Sequence, residues 1–394
     1  MDTITHAFAG ALLGKGLFTT RRSECPTEHS QQAGVAIFAV TLGSAFPDID
    51  IIFDRFIKDS LAMLKYHRYI THSLILLPLW ALLLTPLIRW GARKFGYSPP
   101  SFLWIFLATA VGIASHLLLD LVTSFGTMIW SPISRARPAW DILFIVDFAF
   151  TAILLVPQFA AWVHRFKTHN ILRASRMWAL FTVLALGVLW FASALGFPFS
   201  VWVVPIASII FAAIFFLPLI GNRGVNIQRS TWARFGLLAA TAYVLLCTYA
   251  HHVALTRVRD FAAAQKLEAQ DIAALPLAPS LLDWYGLILT DRGVYRLDET
   301  LLSKSRVNLD FFPDTPPDKF LEIARALPEV QTYLWFSRFP IFRVHPVEGN
   351  IAVDITDIRF KMGTSTRTPS FTYRVTLDPS GAVIDQGMLR ANTR

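Results

Sequence analysis

The chain has 394 residues, 54% of them hydrophobic and only 16% charged, with a net charge of +9. A positive mean hydropathy at this length excludes a purely water-soluble globule. The basic excess is no nucleic-acid footprint either, and no nucleic-acid partner is expected. Residues 257–394 hold 17 basic and 17 acidic side chains, whereas the first 255 residues hold 19 and 10, so the whole +9 lies in short loops between apolar runs.

In chain order, the apolar runs predict a short helix over about residues 3–18. Spans follow near 34–52, 70–90, 102–123, 142–163, 177–195, 200–220 and 234–254. The expected fold is mainly α: a polytopic transmembrane bundle of about seven or eight hydrophobic helices over residues 1–255, followed by a small α+β extramembrane domain over 256–394. The first helix is short for a full crossing, and the second ends in carboxylates. The N-terminus carries no basic start and no small-residue cleavage site, so the chain is expected to stay in the bilayer by its own spans. Cys25 and Cys247 are far apart and form neither a disulfide framework nor a paired metal motif.

Lys15, Arg21 and Arg22 fill one polar segment, Arg89, Arg93 and Lys94 the next. Arg165, Lys167, Arg173 and Arg176 fill a third, and Arg223, Arg229 and Arg234 a fourth. Each is two spans from its neighbour, so all four face one side, which the positive-inside rule makes cytoplasmic. Arg135 and Arg137 are the minor exception. The expected location is a bacterial inner membrane, multi-pass, with the tail extracytoplasmic. In the tail, a helix is expected over 258–272 and another near 317–326. Strands are expected near 285–290, 338–344, 351–360 and 371–378, with turns at Glu348-Gly349-Asn350 and at residues 378–381.

Ionisable side chains inside spans are costly and point to function. Asp48 and Asp50 sit in Phe46-Pro47-Asp48-Ile49-Asp50, and His67 and His72 in the run from His67 to Ser73. His116 and Asp120 are four apart, on one helical face, and His6 lies in the first helix. Asp141 and Asp147 bracket a further apolar stretch. The Lys/Arg orientation places His6, Asp48, Asp50, His67, His72, His116, Asp120 and Asp141 at the extracytoplasmic helix ends. Singly, each reads as a cap or a satisfied polar residue. Together they read as a metal site. Imidazole and carboxylate without thiolate suit a divalent transition metal, zinc first, with manganese or iron as alternatives. One or two ions fit this number of donors. Such an ion lowers the pKa of water toward ~7 and polarises an ester or phosphoryl oxygen.

At these residues the chain resembles the YdjM-like family of membrane-bound metal-dependent hydrolases, more closely its YfhP-type members. The likeness rests on Met1 to His6, Phe46 to Asp50, His67 to Ser73, His116 to Asp120 continuing through Thr127, and Trp140 to Asp147. Asp283-Trp284-Tyr285 and Asp357 to Phe360 carry it into the tail. Tyr69 departs from it, standing where the family usually has a glycine. The resemblance implies a hydrolase. More loosely, the order of donors is similar to that of zinc-dependent phospholipases C and related nucleases. That analogy implies Asp50, His67 or His72, His116 and Asp120 as ligands, with His6 joining a second ion and Asp48 as the alternative to Asp50. His67, His72 and Asp120 are the residues on which catalysis is expected to turn.

A lipid or lipid-linked ester or phosphoester suits a site at headgroup depth. Arg68, Arg135 and Arg137 are the candidates to hold an anionic headgroup, and Ser73, Thr123, Asp141 and Asp147 the candidates for support. The rival readings are a transporter or a proton- or metal-conducting protein, and a non-enzymatic scaffold or regulator. The sequence names no protein partner.

Overall fold

The computed structural model describes residues 1–19, 28–54, 56–165, 169–194, 202–300, 308–361 and 371–389. Arg21, Arg22, Cys25 and Lys167 lie outside the described residues. Two compact units emerge. The first comprises residues 1–49, 68–140 and 145–245, and the second residues 50–67, 141–144 and 246–394.

Helix α1 (Thr3–Phe18) starts where the Asp2 carboxylate accepts the Thr5 backbone N–H at 2.9 Å. Helix α2 (Glu28–Ala45) tightens into a 3₁₀ turn over Phe46–Ile49, followed by the short helices α3 (Asp50–Asp54) and α4 (Ala62–Tyr66). A second 3₁₀ turn, Ile70–His72, leads to α5 (Leu77–Lys94), which is bent by 75° from the helical stretch Ala62–His72. The remaining helices are α6 (Phe102–Leu121), α7 (Phe148–Val163), α8 (Asn170–Ala194), α9 (Val203–Phe216) and α10 (Arg229–Ala264).

Close packing of α2 on α6 positions the site. A Cβ on Gly112 would sit 2.2 Å from the Val40 carbonyl oxygen, and one on Gly43 would sit 2.5 Å from that of Thr109. Only glycine at both points lets the backbones meet, as is usual where helices pair in a bilayer. Around this core the outer faces stay apolar. Val183, Trp190, Ile209 and Leu238 are each more than half exposed, which suits contact with acyl chains.

Among the described residues, five helical stretches are long and apolar enough to cross a membrane: Glu28–Ile52, Phe102–Leu121, Asn170–Ala194, Val203–Gly221 and Arg229–Ala264. The bent pair ending at Lys94 makes a sixth if it is one broken span. The seven or eight spans expected from sequence are therefore not confirmed. Helices α1 and α7 have 16 residues each, short of the ~20 that a crossing takes.

In the second unit, β1 (Asp271–Pro276), β2 (Asp283–Thr290), β3 (Gly293–Thr300) and β4 (Asn308–Pro313) form an antiparallel meander in sequence order. Then come α11 (Lys319–Ala326), α12 (Pro328–Phe336) and a second antiparallel meander of β5 (Pro340–Val347), β6 (Asn350–Asp357), β7 (Thr372–Leu377) and β8 (Val383–Met388). The β5–β6 hairpin turns on Glu348 and Gly349, both at positive φ, and pairs Val347 with Asn350. Leu287, Val294 and Phe312 of the first sheet share a core with Phe339, Ile341 and Ile358. The C-terminal part of α10 packs Ala250, Ala254 and Val258 against Trp284 and Ile288.

Candidate metal centre

His116 and Asp120 lie one turn apart on α6, both buried. The close approach of α2 brings the Ser44 carbonyl oxygen 2.8 Å from His116 Nδ1. A carbonyl can only accept, so Nδ1 carries the proton and Nε2 presents its lone pair inward. His72, from the 3₁₀ turn Ile70–His72, has Nδ1 3.0 Å from the Thr71 hydroxyl and Nε2 3.0 Å from His116 Nε2. Asp48 enters from the turn that ends α2.

Asp48, His72, His116 and Asp120 thus offer four donor atoms within 4.8 Å of one another, all buried. His72 Nε2 is 3.4 Å from Asp48 Oδ1 and 3.3 Å from Asp120 Oδ2. His116 Nε2 is 3.5 Å and 3.4 Å from the same two oxygens. Tetrahedral bonds of ~2.0–2.1 Å to nitrogen and oxygen require donor–donor edges of ~3.3 Å. The donor set could therefore hold a metal ion, and five of its donor–donor distances lie near such an edge.

A second ring of contacts orients these donors. Asp120 Oδ1 accepts from Arg68 Nη2 at 2.8 Å, lies 3.2 Å from His6 Nε2 and also meets the Met1 nitrogen. Its other oxygen, Oδ2, is left to face the two imidazoles. Arg68 Nη1 donates to Thr123 Oγ1 at 3.1 Å, and that hydroxyl donates to the Asp120 carbonyl at 2.8 Å. Thr3 Oγ1 donates to Asp48 Oδ2 at 2.6 Å, which turns Oδ1 toward the imidazoles. The His6 ring stacks on that of His116 at 3.7 Å, and the Ser44 hydroxyl donates to the His6 carbonyl at 2.8 Å.

The other sequence candidates are distributed more widely. His67 Nδ1 lies 3.0 Å from Asp50 Oδ1, an imidazole–carboxylate pair within the second unit. Arg68, expected to face a headgroup, is instead buried, 1% exposed, against Asp120. Arg135 is exposed, with its guanidinium 5.7 Å from the Tyr69 ring centroid, and Arg137 lies 5.1 Å from that of Phe125 while donating to the Gly126 carbonyl at 3.2 Å. Ser73 donates to the Ser131 carbonyl and accepts from the Leu76 N–H at 3.1 Å, fixing the break before α5. Asp141 is held by Arg338 at 2.8 Å within the second unit. Asp147 caps α7 through the N–H groups of Ala149 and Phe150 and accepts from the Tyr243 hydroxyl at 2.9 Å. Thr3 and the Ser44 carbonyl escaped sequence reasoning. Thr3 carries no local signal, and a backbone carbonyl acquires its role only through packing.

Residues 1–195 match the family model described as YdjM inner membrane protein. A curated relative, the uncharacterized protein YfhP of Bacillus subtilis (strain 168), is 26% identical over 161 residues, or 41% of this chain. The match spans about 45% of that relative's length. No solved structure matches the chain. The residues that carry the whole donor set thus lie within the part of the chain that is similar to the YdjM inner membrane protein family.

Proposed function

We propose that the chain is a membrane-bound metal-dependent hydrolase that acts on an ester or phosphoester, lipid or lipid-linked, at the extracytoplasmic membrane face. The observation that carries this reading is the convergence of four buried ligand atoms, Asp48 Oδ1, His72 Nε2, His116 Nε2 and Asp120 Oδ2, on one small volume, with His116 Nε2 fixed as an acceptor. The two carboxylate oxygens and the His116 lone pair, crowded in this way, repel one another, and a cation among them relieves that repulsion. A divalent ion, zinc first and manganese or iron next, would supply Lewis-acid activation of water and of the scissile group.

The chain's own residues divide the remaining work. The Ser44 carbonyl holds His116 in one tautomer, Thr3 aims Asp48, and Arg68 with Thr123 holds Asp120. The His67–Asp50 pair is of a kind suited to moving a proton. Arg135, being exposed, is the better placed of the two surface arginines to meet an anionic headgroup, with Arg137 beside Phe125 as its neighbour. The sidedness follows from the Lys/Arg pattern, and with it the extracytoplasmic assignment of the 256–394 domain.

The test is metal analysis of detergent-purified protein, together with hydrolysis of a panel of phosphoesters and lipid esters before and after chelation. Activity that falls on chelation and returns with one metal is the expected result. Wild-type protein free of transition metal would end the reading. One observation favours a non-enzymatic scaffold instead: Arg68 already neutralises Asp120, and a proton shared between His72 and His116 would satisfy the rest. Under that reading the protein is metal-free and the panel is inert.

A further inference from the structure

Apart from the donor cluster, the first unit contains a cavity of about 290 Å³, near the ~300 Å³ lower end of small-molecule sites. Its walls come from the C-terminal turns of α1 and α7, the N-terminal half of α2 and the first turns of α10. Three cations line it, Lys15, Arg165 and Arg229, and no carboxylate is found among the described residues that do. Lys15 Nζ donates to the neutral Gln158 amide oxygen at 2.6 Å. That amide is itself fixed, because its nitrogen donates to the Phe8 and Leu154 carbonyls at 3.3 and 3.0 Å. Ser30 adds a hydroxyl, and Ile37, Pro157 and Trp162 give an apolar side. A Cβ built on Gly34 meets nothing within 4 Å, so the cavity wall there is open.

A guanidinium pair with an ammonium and a hydroxyl matches the oxygens of a phosphate group, while the apolar side matches the methylenes attached to it. These residues sit at the helix ends where the basic loops begin, the level at which a phospholipid headgroup lies. We propose that this cavity binds the phosphate of an anionic ligand, drawn either from an anionic phospholipid headgroup or from free phosphate. The inference does not depend on metal or on hydrolysis.

The test uses full-length protein. Native mass spectrometry counts phosphatidylglycerol and phosphatidylcholine retained from mixed nanodiscs, and calorimetry in detergent follows inorganic phosphate. Wild type is expected to retain phosphatidylglycerol at least tenfold over phosphatidylcholine. R165Q/R229Q and G34L should each reduce that retention at least tenfold, and R229K should preserve it. If inorganic phosphate binds with the same sensitivity to these variants and displaces the lipid, free phosphate is the source. If only the lipid binds, the headgroup is the source. Should R165Q/R229Q not fold, G34L decides alone, because its added side chain enters open space. Lipid retention unchanged in G34L, or no preference between the lipids with no heat from phosphate, would overturn the proposal.

Discussion

Buried carboxylates meet different company in the two units. In the second unit arginines answer Asp357, by Arg359 at 2.8 Å, Asp141, by Arg338 at 2.8 Å, and the half-buried Asp354, by Arg374 at 2.6 and 2.7 Å, while Asp50 pairs with His67. In the first unit Arg68 answers only one oxygen of Asp120, while Oδ2 and Asp48 Oδ1 face imidazole nitrogens, one of which is fixed as an acceptor. Charge neutralised by side chains builds a fold. Carboxylate oxygens left facing imidazoles make a cluster that could hold a cation.

The sharpest attempt to break this contrast is His116→Ala combined with Asp120→Ala. Bound transition metal, counted by plasma mass spectrometry, should fall from about one per chain to near zero. Full stoichiometry in that variant would clear both residues of a ligand role. Next in size is Arg359→Ala in the second unit, which strands the buried Asp357 carboxylate and should cost about 3–5 kcal/mol in a denaturation series while leaving metal content untouched. Thr3→Val removes only the contact that aims Asp48, so metal affinity should fall roughly 10–100-fold in a chelator competition with the fold intact. The smallest effect is a pH response. Burial pushes the Asp354 carboxyl upward, but its hydrogen bonds from Arg374 and His345 outweigh this and hold it below the ordinary carboxylate range. Its contribution is therefore complete above the unfolded value of ~3.9 and is lost as pH falls through the folded value. Asp354→Asn should flatten the acid limb of the melting temperature by lowering the neutral plateau while leaving the acid end nearly unchanged.

Much of the helical architecture was legible because a bilayer demands long apolar runs, and Phe102–Leu121 and Asn170–Ala194 carry them plainly. The tail was partly legible. Strands β2, β5, β6 and β7 and helix α11 follow alternation, turn and capping signals that sequence displays. Strands β1, β3, β4 and β8 were missed. β3 carries Arg296, Asp298 and Glu299, and its strand character comes from pairing with β2 and β4. The helix expected over 258–272 is instead the end of α10, stopping at Ala264, with Asp271 already in β1. At the site, the one-turn spacing of His116 and Asp120 was readable. The choice of His72 as their partner was not, because a 3₁₀ turn and a bend before α5 decide which imidazole arrives. Arg68 misled for a related reason: an arginine in a polar loop looks like a surface charge until a buried carboxylate claims it.

Arg68 has φ 61°, in the left-handed region that side chains other than glycine enter at a cost of roughly 1–2 kcal/mol. The carbonyl of this residue accepts the Met128 N–H at 3.1 Å and its guanidinium reaches Asp120, so the local strain is maintained by contacts on both sides. A chain that keeps a contorted residue four positions before His72 has set the direction of that imidazole in advance. Ion capture should therefore leave the backbone near residues 68–72 almost motionless, and amide exchange there should be slow whether or not the centre is loaded.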